Sequence, residues 1–229
     1  NEERFNAIDI KVNSVHTPFQ NFLSVSSFVS EASMDSNVEE IYATVYRVAR
    51  YSMTVISLIT AAKNGKKVTV FVELKARFDE ENNLKWASKM KEAGVKIIYS
   101  IPGLKVHAKI ALVKRRENTR LKYYGIFSTG NFNENTASLY TDHVLLTNNA
   151  GMVRELEMLF LFFSFRVVPK KYKALRFDHI LVTQFNLQEK FLQLIYQEME
   201  LARQGIEATL NIKINNLEER LIINKYCIA

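Results

Sequence analysis

A helix-stop signal that runs directly into a strand is the strongest constraint in this chain. Lys63-Asn-Gly65 closes a stretch of helical apolar spacing, because a glycine just past the last turn takes the left-handed conformation without steric cost. Lys66 to Leu74 (KKVTVFVEL) follows at once and is β-branched and almost continuously apolar. A run of that kind suits a strand covered on both faces. Asp79 then opens a helical pattern through Trp86 and Met90 to Gly94, with Asp79, Glu80 and Glu81 in the first turn, where the helix dipole favours acids. Val95 to Tyr99 reads as a strand, and Pro102-Gly103 as a turn. Upstream, Val38 to Ala62 has apolar residues three and four apart (Ile41, Val45, Val48, then Ile56, Ile59) and reads as a helix. Its alternative is an extended Tyr42 to Val48 that places Arg47 at a strand end. Alternating elements of this kind predict an α/β sheet with helices packed on its faces.

Val106 to Phe127 reads as a hairpin whose turn lies between Lys114 and Lys122. It opens on Lys105-Val-His-Ala-Lys109. On a strand, His107 and Lys109 project to the same side, about 6–7 Å apart at Cα. Val106, Ala108, Ile110 and Leu112 form the other side, an apolar set suited to a core. A lone histidine on an apolar face is usually structural. This one shares its side with a lysine, which reads as a nucleophile beside a fixed positive charge. An Asn-rich loop follows, Thr129-Gly-Asn131-Phe-Asn133, whose plain reading is turn chemistry. Beyond it come a strand at Val144-Leu-Leu and an apolar helix from Gly151 to Phe165. Pro169 and Lys170-Lys-Tyr-Lys173 mark a boundary. A strand at Ile180 to Val182, a helix from Leu187 to Gln204, a strand at Ala208 to Ile214 and a helix start at Asn216 complete the pattern.

The net charge of +7 over 229 residues is unevenly placed. Residues 1–40 hold only Arg4 and Lys11 against seven acids, so the excess lies downstream. Between Ile101 and Gly125 stand Lys105, Lys109, Lys114, Arg115, Arg116, Arg120 and Lys122 against Glu117. Positive charge beside a candidate site favours a polyanionic partner, whereas Lys114 to Lys122 by themselves read as a solvated turn. No apolar run approaches the roughly 18–20 residues that cross a bilayer. The single cysteine, Cys227, excludes an internal disulfide and suits a reducing cytoplasm. The first residue is Asn rather than Met, and the pattern stops at the start of a helix. The chain is therefore expected to be part of a longer protein.

Four segments carry a resemblance: Tyr46-Arg47-Val-Ala, Val70 to Glu80 with Arg77, the His107/Lys109 pair, and Phe127 to Asp142 with Asn131, Asn133 and Tyr140. In this order and at these separations they resemble the polyphosphate kinase family, the histidine-phosphorylating family with a phospholipase D-like catalytic half. The resemblance implies a phospholipase D-like mixed sheet flanked by helices, with the start of a second related lobe. It divides the chain into a leader or connection (1–40), a first catalytic lobe (41–170) and an incomplete second lobe (171–229). It implies reversible transfer of the ATP γ-phosphate to a polyphosphate chain through a phosphohistidine. His107 is the phosphorylated residue and Lys109 its catalytic companion. Arg47 and Arg77 belong to a Mg²⁺-phosphate site, and Asn131 and Asn133 offer phosphate contacts. Tyr140 meets the adenine. Arginine has no lone pair for a metal, so the two guanidinium groups grip phosphate oxygens that Mg²⁺ also bridges. The implied partners are ATP, ADP and inorganic polyphosphate, with no nucleic acid and a homo-oligomeric full-length protein. The implied location is cytoplasmic, with membrane association left open. A second histidine is expected from the other lobe, beyond Ala229. Two rivals belong to other classes, a phospholipase D-type phosphodiesterase and a non-catalytic polyanion-binding module. The first places an aspartate five residues after the lysine, where this chain has Lys114.

Overall fold

The computed structural model describes residues 3–10, 13–49, 51–73, 80–99, 105–165, 175–214 and 216–228. The chain divides into two compact units, residues 1–168 and 169–229. The first unit runs α1 (Glu3–Ile10), β1 (Asn13–Thr17), α2 (Leu23–Met34), β2 (Val38–Val45), α3 (Met53–Lys63), β3 (Lys67–Val72), α4 (Glu80–Glu92), β4 (Lys96–Tyr99), β5 (Lys109–Glu117), β6 (Arg120–Ser128), α5 (Glu134–Ala137), β7 (Asp142–Thr147) and α6 (Ala150–Ser164). Its seven strands form one mixed sheet in the order β1-β7-β6-β5-β2-β3-β4. β2, β3 and β4 are parallel and joined through α3 and α4, while β5, β6, β7 and β1 are antiparallel.

The helix-to-strand junction forms as expected. Gly65 has φ +82°, a conformation that costs a side chain-bearing residue steric strain, and β3 starts two residues later. The helix expected from Val38 is corrected: its first third is β2, and α3 begins only at Met53. Ile41 and Val45 are four apart, a separation that fits both a helical face and a strand face. Burial settles the matter. β2 sits between β5 and β3, and its β-branched Val38, Ile41, Thr44 and Val45 are all buried. The hairpin runs from Lys109 to Ser128, and its turn is tighter than expected. Its strands run to Glu117 and resume at Arg120 around a two-residue turn, where Asn118 has φ 53°.

Helices cover both faces of the sheet. Residues of α2 and α3 share one apolar cluster with Val70, Val72, Ala111 and Val113. On the opposite face, Phe160 of α6 packs against Tyr42 at 5.5 Å and Phe71 at 5.6 Å between ring centroids. Residues 109 to 115 of β5 are therefore all buried. The two-faced reading of that strand, with 107 and 109 pointing away from a core, is corrected accordingly. Residues 1–40 were expected as a leader but belong to this unit. Phe5 is fully buried against Phe28 and Tyr124, at 5.0 and 4.8 Å, and β1 extends the sheet along β7.

The second unit holds α7 (Leu187–Arg203) and α8 (Arg220–Ile228). Neither strand expected there, at 180–182 or 208–214, forms among the described residues. A strand needs a hydrogen-bonding neighbour, and no described residue of this unit supplies one. Among the described residues no helix is long and apolar enough to cross a membrane.

Candidate active site

The parallel strands β2 and β3 end side by side, and the residues that follow them converge on the start of β5. In open α/β sheets this carboxyl-end position is where ligand sites form. Tyr46 and Arg47 follow β2 directly, and Glu73 follows β3. The segment after β2 is irregular but tightly held. Four consecutive carbonyl oxygens each accept a side-chain N–H. Asn83 Nδ2 donates to Tyr46 O (2.8 Å), Asn133 Nδ2 to Arg47 O (3.5 Å), Asn82 Nδ2 to Val48 O (2.8 Å) and Trp86 Nε1 to Ala49 O (3.3 Å). Asn83, fully buried, also donates to Glu73 O at 3.3 Å and so ties the two strand ends together. Asn82, Asn83 and Trp86 read in the sequence only as members of a helix.

His107 lies just before β5, in the irregular stretch 105–108, rather than on the strand. The β2–β5 ladder stops at Ala43 and Ala111. Past that point the Thr44 hydroxyl takes over, donating to Ala108 O (2.7 Å) and accepting from Ile110 N (3.0 Å). The Glu73 carboxylate, itself buried, accepts from Val106 N at 2.9 Å. Two side chains thus hold the segment that carries His107 away from the sheet, and the imidazole is exposed. Lys109 starts the strand, is buried, and donates from Nζ to the carbonyl of His107 at 2.6 Å.

The electrostatics follow from this crowding. Burial pulls the Lys109 ammonium down to about 8, assisted by Arg47 and Lys105 and opposed by Asp142. Its charge is not the fixed one expected from the sequence. The same effects lower His107 below the ordinary imidazole value: partial burial first, then Lys109, Lys105 and Arg47. The neutral, nucleophilic form is favoured.

Arg47, Lys109 and Asn131 line one small cavity together with Thr44, Tyr46 and Thr54. The Asn131 side-chain oxygen is buried there without a hydrogen-bond partner among the described residues. Asn133 is differently employed. Its oxygen caps α5 by accepting from Asn135 N and Thr136 N (3.0 and 3.2 Å), and its amide group holds Arg47 O. Through these contacts it caps α5 and holds the Arg47 loop. Tyr140 is 61% exposed, with no ring contact to the cluster among the described residues. Two residues on, Asp142 accepts from Thr129 Oγ1 at 2.8 Å. A Cβ at Gly130 would come within 2.2 Å of that carboxylate, so this loop position has no room for a side chain. Arg77 lies outside the described residues.

The donor set bears on Mg²⁺. Among the described residues no group of three or more His, Cys, Asp or Glu side chains could hold a metal, and the cluster around His107 is cationic. A resident ion does not fit it. An ion carried in on nucleotide phosphates does, since Mg²⁺ is commonly held by phosphate oxygens and waters with few protein ligands. The basic hairpin is a separate matter. Lys114 pairs with Glu40 (3.0 Å) and Glu157 (2.6 Å), Arg115 with Asp35 (2.8 Å) and Glu117 (2.7 Å), Arg116 with Glu39, and Lys122 with Asp9 and Glu117 (both 2.8 Å). Lys114 is 9% exposed and sits where a phosphodiesterase of this fold would carry its aspartate.

A mixed sheet with helices on both faces and a histidine-lysine pair at its centre defines a phospholipase D-like fold. The chain resembles the phospholipase D family member Nuc from Salmonella typhimurium (TM-score 0.53, 15% identity, 68% of this chain and 93% of that one). It likewise resembles NucT from Helicobacter pylori (TM-score 0.53, 12% identity, 69% of this chain and 98% of that one). At such identities the likeness is one of fold. The likeness to polyphosphate kinase from Porphyromonas gingivalis is far greater, with a TM-score of 0.82 and 39% identity over 96% of this chain and 36% of that one. This chain belongs to the polyphosphate kinase family: the family's C-terminal domain 1 matches residues 3–168 and its C-terminal domain 2 matches residues 180–229. Polyphosphate kinases of Escherichia coli K12 and Yersinia pestis are 40% and 42% identical to it over 221 residues, 96% of its length. The chain spans 31% of the length of those relatives.

Proposed function

We propose that residues 1–168 supply the histidine-bearing half of a polyphosphate kinase site and that His107 is its nucleophile. The observation that carries this is an exposed imidazole, biased toward its neutral form, standing among Lys105, Lys109 and Arg47. A neutral imidazole nitrogen attacks the γ-phosphorus of ATP. The new N–P bond forms as the bond from phosphorus to the β,γ-bridging oxygen breaks, and ADP leaves. In the second step a terminal oxygen of a polyphosphate chain attacks the same phosphorus, the N–P bond breaks, and the chain is one unit longer. The two steps run in either direction. Arg47, with Arg77 by resemblance, grips phosphate oxygens in a forked, bidentate manner, and Lys109 offers a point charge beside the nucleophile. Mg²⁺ enters as the companion of the nucleotide. Asn131 supplies a polar side chain to the cavity next to Lys109. Tyr140 offers an exposed ring to the adenine.

The test is the intact mass of the full-length protein after brief exposure to Mg·ATP. One phosphoryl group should appear, acid-labile and alkali-stable, and should be missing from His107→Gln. Polymer synthesis at the normal rate by His107→Gln would end the proposal. Hydrolysis of bis-p-nitrophenyl phosphate without any acid-labile label would replace it with the phosphodiesterase reading.

A further inference from the structure

We propose that Tyr46 is a positioning residue, its aromatic ring gathering His107, Lys105, Lys109 and Arg47 into one arrangement around the candidate nucleophile. This rests on the phosphohistidine reading above and adds to it a residue that need not touch the substrate. The Tyr46 ring lies 4.6 Å from the His107 ring, centroid to centroid, at an interplanar angle of 85°. Over the same ring stand Lys109 Nζ at 5.0 Å, Lys105 Nζ at 5.4 Å and Arg47 Cζ at 5.9 Å. Every candidate catalytic group among the described residues 46–109 therefore meets at one side chain. Tyr46 is 7% exposed, and its own backbone is pinned through Asn83.

The chemistry of the choice lies in what an aromatic face lacks. Three cations gathered round one ring repel one another, and Asp142 offsets that repulsion only in part while no phosphate is bound. A further carboxylate would offset more, but it would pair with the cations and then repel the phosphates meant for them. The electron-rich face of a tyrosine attracts ammonium and guanidinium groups without bringing a net negative charge. Neither Lys105 nor Lys109 forms an ion pair among the described residues, and the only side-chain hydrogen bond of Lys109 is to a backbone carbonyl. The perpendicular ring contact meanwhile restricts the imidazole, because edge-to-face aromatic pairs prefer a defined geometry. The Tyr46 hydroxyl makes no hydrogen bond to a described residue. The ring, not the phenol, carries the role.

The experiment uses the full-length enzyme with phenylalanine, and phenylalanines of increasing ring fluorination up to the pentafluoro form, placed at position 46. These side chains share one shape, so no cavity is created, while the charge on the ring face is progressively removed and then reversed. Single-turnover labelling by γ-labelled ATP and the melting temperature are followed together. Tyr46→Phe should label within about threefold of the wild type. The pentafluoro variant should label roughly 100-fold more slowly at saturating ATP, as displaced catalytic groups do, while remaining folded with only a modest fall in melting temperature from the lost cation contacts. Three results would overturn the proposal: a flat rate across the series, a loss as large in Tyr46→Phe as in the pentafluoro variant, or an effect confined to the KM for ATP. Should the wild type itself carry no label on His107, the phosphohistidine reading fails first and this one with it.

Discussion

Replacing Thr44 with valine tests how far the segment carrying His107 depends on one of its two side-chain anchors. The change keeps the shape of a side chain that is 4% exposed and removes only the oxygen. That oxygen donates to Ala108 O at 2.7 Å and accepts from Ile110 N at 3.0 Å, where the β2–β5 ladder has already ended. Leaving the buried Ile110 amide unsatisfied costs about 1–3 kcal/mol, and the half-buried Ala108 carbonyl adds less because water can reach it. A total of about 2–3 kcal/mol corresponds to a fall of roughly 4–10 °C in melting temperature for a domain of this size. The greater effect is expected on function. With both contacts gone, residues 107–110 are free to shift about the remaining Glu73 tether at Val106 N, and a displacement near 1 Å lowers the labelling rate by about 100-fold. Hydrogen exchange over residues 105–111 of the full-length enzyme should rise sharply in Thr44→Val and stay near normal in Thr44→Ser. Thr44→Val with wild-type exchange and wild-type labelling would refute the reasoning.

The pH dependence of labelling provides a second check. Because neighbouring cations and burial lower His107, the acid limb of the single-turnover rate should fall below the ordinary imidazole value of about 6.5. Lys109→Met removes one of those cations, so the limb should move up toward that value, and the alkaline limb near the lysine's own value of about 8 should vanish. An acid limb that stays put would argue against the electrostatic account. Lys114→Met leaves Glu40 to Lys67 and the Tyr42 hydroxyl and removes the ion-pair partner of the part-exposed Glu157, and urea unfolding should register a loss of about 1–3 kcal/mol while labelling of the folded protein is retained. A labelling defect with normal stability would assign Lys114 to the site instead of the scaffold.

The α/β alternation from α3 to β4 was legible because punctuation and composition agree there: Gly65 and Gly94 close helices, and β-branched runs follow. The identity of β2 was not, since Ile41 and Val45 satisfy both periods and only its central place in the sheet decides. The strand at the start of the chain was hidden for another reason. Its burial depends on β7, more than a hundred residues away, and nothing local marks that pairing. At the site, the types of His107, Lys109 and Arg47 and their order could be read directly. Their support could not. Asn82, Asn83, Trp86, Thr44 and Glu73 are ordinary members of helices and strands until the chain brings them against the carbonyls and amides they bind. Glu73 is the nearest to a readable signal, an acid closing an otherwise apolar strand.

The positive charge of the β5–β6 hairpin enters the fold largely spoken for. In the β5–β6 hairpin, Lys114, Arg115, Arg116 and Lys122 each pair with one or two carboxylates, drawn from α1, the end of α2, β2, α6 and the hairpin itself. Along β5 an approaching anion therefore meets an electropositive focus around one imidazole at the start of the strand, while Lys114, Arg115 and Arg116 at its far end are already paired. Added salt would thin the diffuse counter-ion cloud of such a protein while leaving that focus comparatively intact.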